Sequence, residues 1–262
     1  WSVGDPVVAH LPLDLKDHQG ALGEYVSAPS DNLARRPPRP TPTQAAGIPL
    51  AGQTAGQALF GVAKLRDGQH VFVNGGSTAV GAYATQFAQA RGVRVTASAS
   101  GRNEGFARRM GAETFIDYTK QDLATHLAQH PPEPKFDAIL EAVGLVAGAL
   151  YALSEKYITP EGAFMSVGPL PGGMGDIPKL GGLVYGMVMP KWLGGVRRKL
   201  QILGVAPSQK DMDDIFALFA EGKCSPIVDS VSEFEDALKA YDRIMTQRAV
   251  GKVIVRVDGT AE

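Results

Sequence analysis

Residues 71–81 of the chain read Val-Phe-Val-Asn-Gly-Gly-Ser-Thr-Ala-Val-Gly and continue as Ala82-Tyr83-Ala84-Thr85-Gln86-Phe87-Ala88. An apolar strand runs into a glycine turn, and the turn opens a helix. This is the layout of a dinucleotide-binding βα unit. One glycine permits the tight turn, another lets backbone N–H groups approach a pyrophosphate, and the last lets helix and strand pack closely. The phosphates then sit at the positive helix end, where backbone donors lack intrahelical partners. The spacing, Gly75 and Gly76 followed by Gly81, departs from a strict Gly-x-Gly-x-x-Gly. Val80, Ala84, Phe87 and Ala88 nevertheless recur at helical spacing. Taken alone, the pattern also fits an ordinary strand–turn–helix without a ligand.

The next segment narrows the choice. Arg91-Gly92 ends the helix, and Val93 to Ser98 reads as a second strand. A NAD-specific site places an acid near the end of this strand to bind the ribose 2′-hydroxyl. Here the strand exits into Ala99-Ser100-Gly101-Arg102-Asn103, with no carboxylate. A hydroxyl and a guanidinium suit a 2′-phosphate, so NADPH is expected over NADH. Further strands are expected at 114–117, 136–143, 162–167 and 199–205, with helices at 103–110, 121–129 and 146–157. Such alternation implies an α/β fold, a doubly wound parallel sheet covered on both faces.

The ends of the chain read differently. Residues 1–40 are strand- and turn-like, with a strand expected in Gly20 to Val26. Arg35-Arg36-Pro37-Pro38-Arg39-Pro40 reads as an extended connector. Helices are expected from a cap in Thr43-Gln44-Ala45-Ala46 and over Thr54–Val62. Beyond 207 come a helix over 211–221, a strand over 227–231, a helix over 234–246 and a last strand over 252–257. That last strand is expected to return to the first β-section.

With 262 residues there is room for one large or two small domains. A net charge of −1 implies no general attraction to nucleic acid or anionic membrane. Cys224 is the single cysteine, which excludes an internal disulfide and a multi-cysteine zinc site. His126 and His130 stand four apart, a spacing that can bind zinc, but they lack a Glu between them and precede Pro131-Pro132. No metal is therefore expected. The apolar stretch Leu180–Leu193 is interrupted by Pro190 and Lys191 and is too short to span a bilayer. A buried loop, a cofactor cover or a partner surface fits it. Neither a Tyr-x-x-x-Lys pair, a phosphate-binding Gly-x-x-x-x-Gly-Lys nor a Gly-x-Ser-x-Gly elbow occurs, which argues against short-chain dehydrogenases, P-loop ATPases and serine hydrolases.

A set of short segments, in order, resembles a known family. They are Gly4-Asp5-x-Val7, Gly20-Ala21-Leu22-x-Glu24-Tyr25, Ala45-Ala46, Pro49-Leu50-Ala51-Gly52-x-Thr54-Ala55, the Asn74–Gly81 loop, Gly111-Ala112, Ile116-Asp117-Tyr118, Phe136-Asp137, Val143-Gly144, Val167-Gly168 and Gly251-Lys252-Val253. Together they are similar to the zinc-free medium-chain dehydrogenase/reductases of the quinone oxidoreductase, zeta-crystallin-like type.

The resemblance implies a Rossmann-type cofactor domain, 53–206, beside a GroES-like β-domain assembled from 1–52 and 207–262. It also implies that the GroES-like part is N-terminally incomplete here. By the same resemblance Gly76, Ala79, Val80 and Gly81 face the pyrophosphate. Ser100, Arg102 and Tyr118 surround the 2′-phosphate, and Thr54 lies near the nicotinamide ribose. Val143, Gly144, Val167 and Gly168 line the cofactor. Ser77-Thr78-Ala79 stands where a further glycine pair is usual.

The implied reaction is hydride transfer from NADPH to a quinone or enone. Reduction of an enoyl thioester is the alternative, and an NADPH-binding protein without turnover is the non-enzymatic one. No catalytic residue is assigned. The implied partners are a small-molecule substrate and a second copy of the chain. A cytoplasmic location is expected, with a mitochondrial one as the alternative.

Overall fold

A computed structural model describes residues 1–11, 20–144, 148–168 and 177–259. The chain forms two compact units, Trp1–Gly56 with Val205–Glu262, and Gln57–Gly204.

The first unit opens with β1 (Val7–Ala9) antiparallel to β2 (Leu33–Arg35), Val7 lying opposite Arg35. Gly20–Val26 forms bends and not the expected strand. Tyr25 is 93% exposed, and no neighbouring backbone pairs with the segment among the described residues. Alternation in a sequence makes a strand only where a second strand accepts its hydrogen bonds. Helix α1 (Pro42–Ala46) is capped two residues earlier than expected, at Thr41 and not Thr43, because Thr41 and Gln44 form a capping box. Helix α2 (Pro49–Gly56) follows, and the second unit begins with a π-helical segment, Gln57–Val62. The single helix expected over Thr54–Val62 is thus displaced toward the N-terminus and changes its hydrogen-bond period.

In chain order the second unit contains β3 (His70–Asn74), α3 (Ala79–Ala90), β4 (Arg94–Ala99), α4 (Glu104–Arg109), β5 (Thr114–Asp117), α5 (Leu123–Gln129), β6 (Phe136–Glu141), α6 (Gly148–Ala152), β7 (Ile158–Ser166), α7 (Ile177–Val188) and β8 (Lys199–Ile202). The strands form one six-stranded sheet in the order β5-β4-β3-β6-β7-β8. Every pair in it is parallel. This is the doubly wound Rossmann order, with its switch point between β3 and β6.

The central strands are buried on both faces, so they read as continuous apolar runs. Phe72, Phe136, Ile139, Phe164, Leu127 and Tyr157 belong to one cluster of buried side chains. Phe72 and Phe136 stack at 5.3 Å. Each such aromatic contributes roughly 1.5–3 kcal/mol through burial. Helix α3 is buried from Gly81 to Ala88, which its small Gly and Ala residues allow. The helix expected over 146–157 is α6 followed by a separate 3-10 turn, Ser154–Lys156. Leu180–Leu193 is not a buried loop. It is most of α7 plus a turn at Lys191–Leu193, with Leu183 buried and Val188 and Trp192 exposed. Among the described residues no helix is long and apolar enough to cross a membrane.

The chain then returns to the first unit through α8 (Gln209–Ala220), β9 (Val228–Glu233), α9 (Ala237–Met245) and β10 (Lys252–Arg256). Strand β10 pairs in parallel with β9 and belongs to the same compact unit as residues 1–56. Its contact with the front of the unit is by side chains, since a Cβ added at Gly47 would lie 3.1 Å from Lys252 Cβ. Asp229 of β9 and Arg243 of α9 form a two-bond ion pair at 2.7 Å.

Candidate functional site

The loop after β3 lies at the switch point. Gly75 has φ +90°, a left-handed conformation that favours glycine. Its carbonyl accepts bonds from Thr78 N–H and Thr78 Oγ1, both at 2.9 Å. The same hydroxyl accepts from Gly81 N–H at 3.0 Å and so caps α3. A Cβ at Gly81 would collide with the Gly75 carbonyl. A Cβ at Gly75 would come within 2.6 Å of Val143 Cγ2, in the turn after β6.

The predicted pyrophosphate residues divide into two kinds. Gly76 N–H is bonded to Ser98 O at 2.8 Å, and Gly81 N–H to Thr78. Those two glycines therefore shape the loop by lacking side chains. The N–H groups of Ala79 and Val80 lie in the first turn of α3, where no intrahelical acceptor exists. Ser77 N–H, just ahead of them, is bonded to no acceptor among the described residues. These part-exposed groups are donors at a helix N-terminus, the kind of group that can receive an anion.

Ser100, Arg102 and Tyr118 come together at the carboxyl ends of β4 and β5, where Tyr118 N–H donates to Ala99 O at 3.3 Å. Asn103 Nδ2 donates to Ser100 Oγ at 3.3 Å. Arg102 is exposed and makes no ion pair among the described residues. Asp117 was missed by sequence reasoning, which sought an acid only on the preceding strand. Its Oδ1 accepts from Thr119 Oγ1 at 2.7 Å and Thr119 N–H at 3.0 Å. Those bonds, led by the hydroxyl and joined by one from Gly101 N–H, hold its carboxyl below the usual carboxylate range. Asp117 thereby shapes the turn that carries Ser100 and Arg102.

Val143 and Gly144 follow β6, and Val167 and Gly168 follow β7, on the other side of the switch point. Both turns are held by Glu141, a second residue that sequence reasoning missed. Thr54 belongs to the first unit, where its hydroxyl donates to Leu50 O at 2.7 Å within α2. In that unit the buried His10 Nδ1 lies 2.8 Å from Gln53 Oε1, and Gln53 Nε2 donates to Ser208 O at 3.0 Å. An amide oxygen only accepts, so His10 carries its proton on Nδ1. Only the tertiary fold could reveal this pair.

Comparison with known proteins agrees with the fold. Residues 110–255 match the family described as zinc-binding dehydrogenase. Medium chain reductase pydE of Acremonium sp is 36% identical over 261 residues, covering 91% of this chain and 70% of its own length. Trans-enoyl reductase poxH of Penicillium oxalicum is 37% identical over 267 residues, covering 91% of this chain and 68% of its own. The solved quinone oxidoreductase of Coxiella burnetii superposes with a TM-score of 0.78 at 25% identity, covering 98% of this chain and 74% of that one. The chain belongs to the medium-chain dehydrogenase/reductase family.

Members of this family are oxidoreductases, and the chain is one of that type. The sheet of the second unit is its Rossmann-type half, and the fold includes a GroES-like domain. The family description names zinc, yet among the described residues no group of three or more His, Cys, Asp or Glu is placed to hold a metal ion. The His126 and His130 rings lie 5.0 Å apart and tilted at 33°, with no third ligand among the described residues. Burial pushes the Cys224 thiol up to about 12, so it is not a ready thiolate.

Proposed function

We propose that this reductase transfers a hydride from NADPH to an electron-poor quinone or α,β-unsaturated carbonyl, without a metal. One observation carries the choice of cofactor. Arg102 stands exposed beside Ser100 at the end of β4, and neither that strand nor residues 100–103 after it supply a carboxylate of their own. Asp117, on the neighbouring strand, is engaged by Thr119 and Gly101 and shapes the loop.

When bound, the nicotinamide supplies the hydride. The chain binds and orients it. The N–H groups of Ala79 and Val80 receive the pyrophosphate, with Gly76 and Gly81 keeping the approach open. Ser100, Arg102 and Tyr118 hold the 2′-phosphate. Val143-Gly144 and Val167-Gly168 line the far half, with Thr54 toward the nicotinamide ribose.

A second reading, reduction of an enoyl thioester, is favoured by the similarity to the trans-enoyl reductase poxH at 37% identity. We further propose a homodimer in the cytoplasm. Its supporting feature is the exposed apolar run Val184, Tyr185, Met187, Val188 and Trp192.

Fluorescence titration with NADPH and NADH, followed by turnover with a quinone, an enone and an enoyl thioester, tests the proposal. Tighter NADPH binding with quinone or enone turnover is expected. Turnover of the thioester alone would decide for the second reading. Binding without turnover of any substrate would leave a cofactor-binding protein, and binding of neither nucleotide would sink the dinucleotide reading.

A further inference from the structure

Glu141 ends β6 at the switch point and is fully buried. Its Oε1 accepts from Val143 N–H at 2.9 Å. Its Oε2 accepts from Gly144 N–H at 3.1 Å and from the Ser166 hydroxyl at 3.0 Å. Ser166 ends β7, and its Oγ in turn accepts from Gly168 N–H at 3.3 Å. The Glu141 carbonyl accepts from Val167 N–H at 3.0 Å. One residue therefore ties the turn after β6 to the turn after β7.

A carboxylate with no exposed surface is costly unless donors surround it. The adjoining Ile139 and Leu140 are equally buried and apolar, so packing alone does not call for an acid here. Donors to the carboxylate include the Val143 and Gly144 N–H groups of the first turn and the Ser166 hydroxyl, while Val167 N–H of the second turn bonds the Glu141 backbone carbonyl and Gly168 N–H bonds Ser166 Oγ.

We propose that Glu141 is a positioning residue for the nicotinamide half of the bound dinucleotide. The inference rests on the dinucleotide reading of the site. Ser100, Arg102 and Tyr118, at the ends of β4 and β5, take the adenosine side. A dinucleotide crosses the switch point between two mononucleotide-binding halves, so the turns after β6 and β7 receive the other half. An ionised carboxylate accepts on both oxygens at once. A glutamine in its place would turn an N–H₂ group toward donors and lose at least one bond.

The test titrates the complete chain, wild type, Glu141→Gln and Ser166→Ala, with NADPH and with adenosine 2′,5′-bisphosphate, which carries only the adenosine side. For Glu141→Gln the NADPH Kd is expected to rise about tenfold or more, with bisphosphate affinity unchanged. Ser166→Ala keeps the carboxylate and both N–H bonds, and its NADPH Kd is expected to rise about threefold. It carries the test alone if Glu141→Gln does not fold. Unchanged NADPH affinity in the folded variants would overturn the proposal, as would equal weakening of both ligands, which marks a general structural role. Failure of the wild type to bind either ligand would overturn the dinucleotide reading itself, and the role of Glu141 with it.

Discussion

Single residues in the cofactor loop act by the space they leave as much as by the groups they carry. Gly81→Ala would drive a methyl into the Gly75 carbonyl. It is expected to weaken dinucleotide binding at least about tenfold, or ~1.4 kcal/mol, in a fluorescence titration. Arg102→Ala removes a charge with no competing partner among the described residues. Charge-assisted hydrogen bonds contribute about 1.5–3 kcal/mol, so NADPH affinity should fall about tenfold to a hundredfold while NADH affinity holds. An equal loss for both nucleotides would refute the assignment of Arg102 to the 2′-phosphate. The glycine turn was legible because sterics limit what can stand at Gly75 and Gly81. Asp117 and Glu141 were not, because each serves a turn brought to it by a strand pairing that has no local signature.

At the scale of elements, the ends matter most. Thr78 caps α3 and braces the Gly75 carbonyl. Thr78→Ala should cost about 1 kcal/mol, lowering Tm by roughly 2–4 °C in a thermal melt. In the first unit Asp229 joins β9 to α9 and also accepts from Val250 N–H at 2.8 Å. Its carboxyl is held low, first by the bonds from Arg243. A depressed folded pKa means that this stabilisation is present above the unfolded value of about 3.9. It is lost as pH falls through the lower folded value. Asp229→Asn should therefore cost roughly 1–2 kcal/mol at pH 7, and the difference from wild type should shrink as pH falls below about 4 and vanish once it has passed the lower folded value. A difference that persists there would show that charge is not what matters. The strand and helix order of the second unit was legible, because each element carries its own hydrophobic period. The strand expected at Gly20–Val26 did not form, since pairing is a property of two segments.

For the whole molecule, the second unit is continuous in sequence and holds its own aromatic core. Residues 57–204 expressed alone are expected to melt cooperatively and to retain adenosine 2′,5′-bisphosphate binding, as scanning calorimetry and titration would show. Loss of both would mean that the unit depends on the rest of the chain. If a second copy docks on α7, the double change Val188→Asp and Trp192→Asp should halve the mass seen by light scattering without lowering Tm. An unchanged mass would place any interface elsewhere.

By itself the sequence determined the class of sheet, the glycine loop at its switch point and the absence of an acid at the end of β4. Each is written within a short window, as a hydrophobic period, a steric requirement or a missing charge. Only the tertiary structure decided which loop N–H groups remain open, which strands pair at the edges, and that Glu141 and Asp117 sit under the turns. Those features depend on backbone donors and acceptors far apart in the chain, and such groups find one another only when the sheet closes.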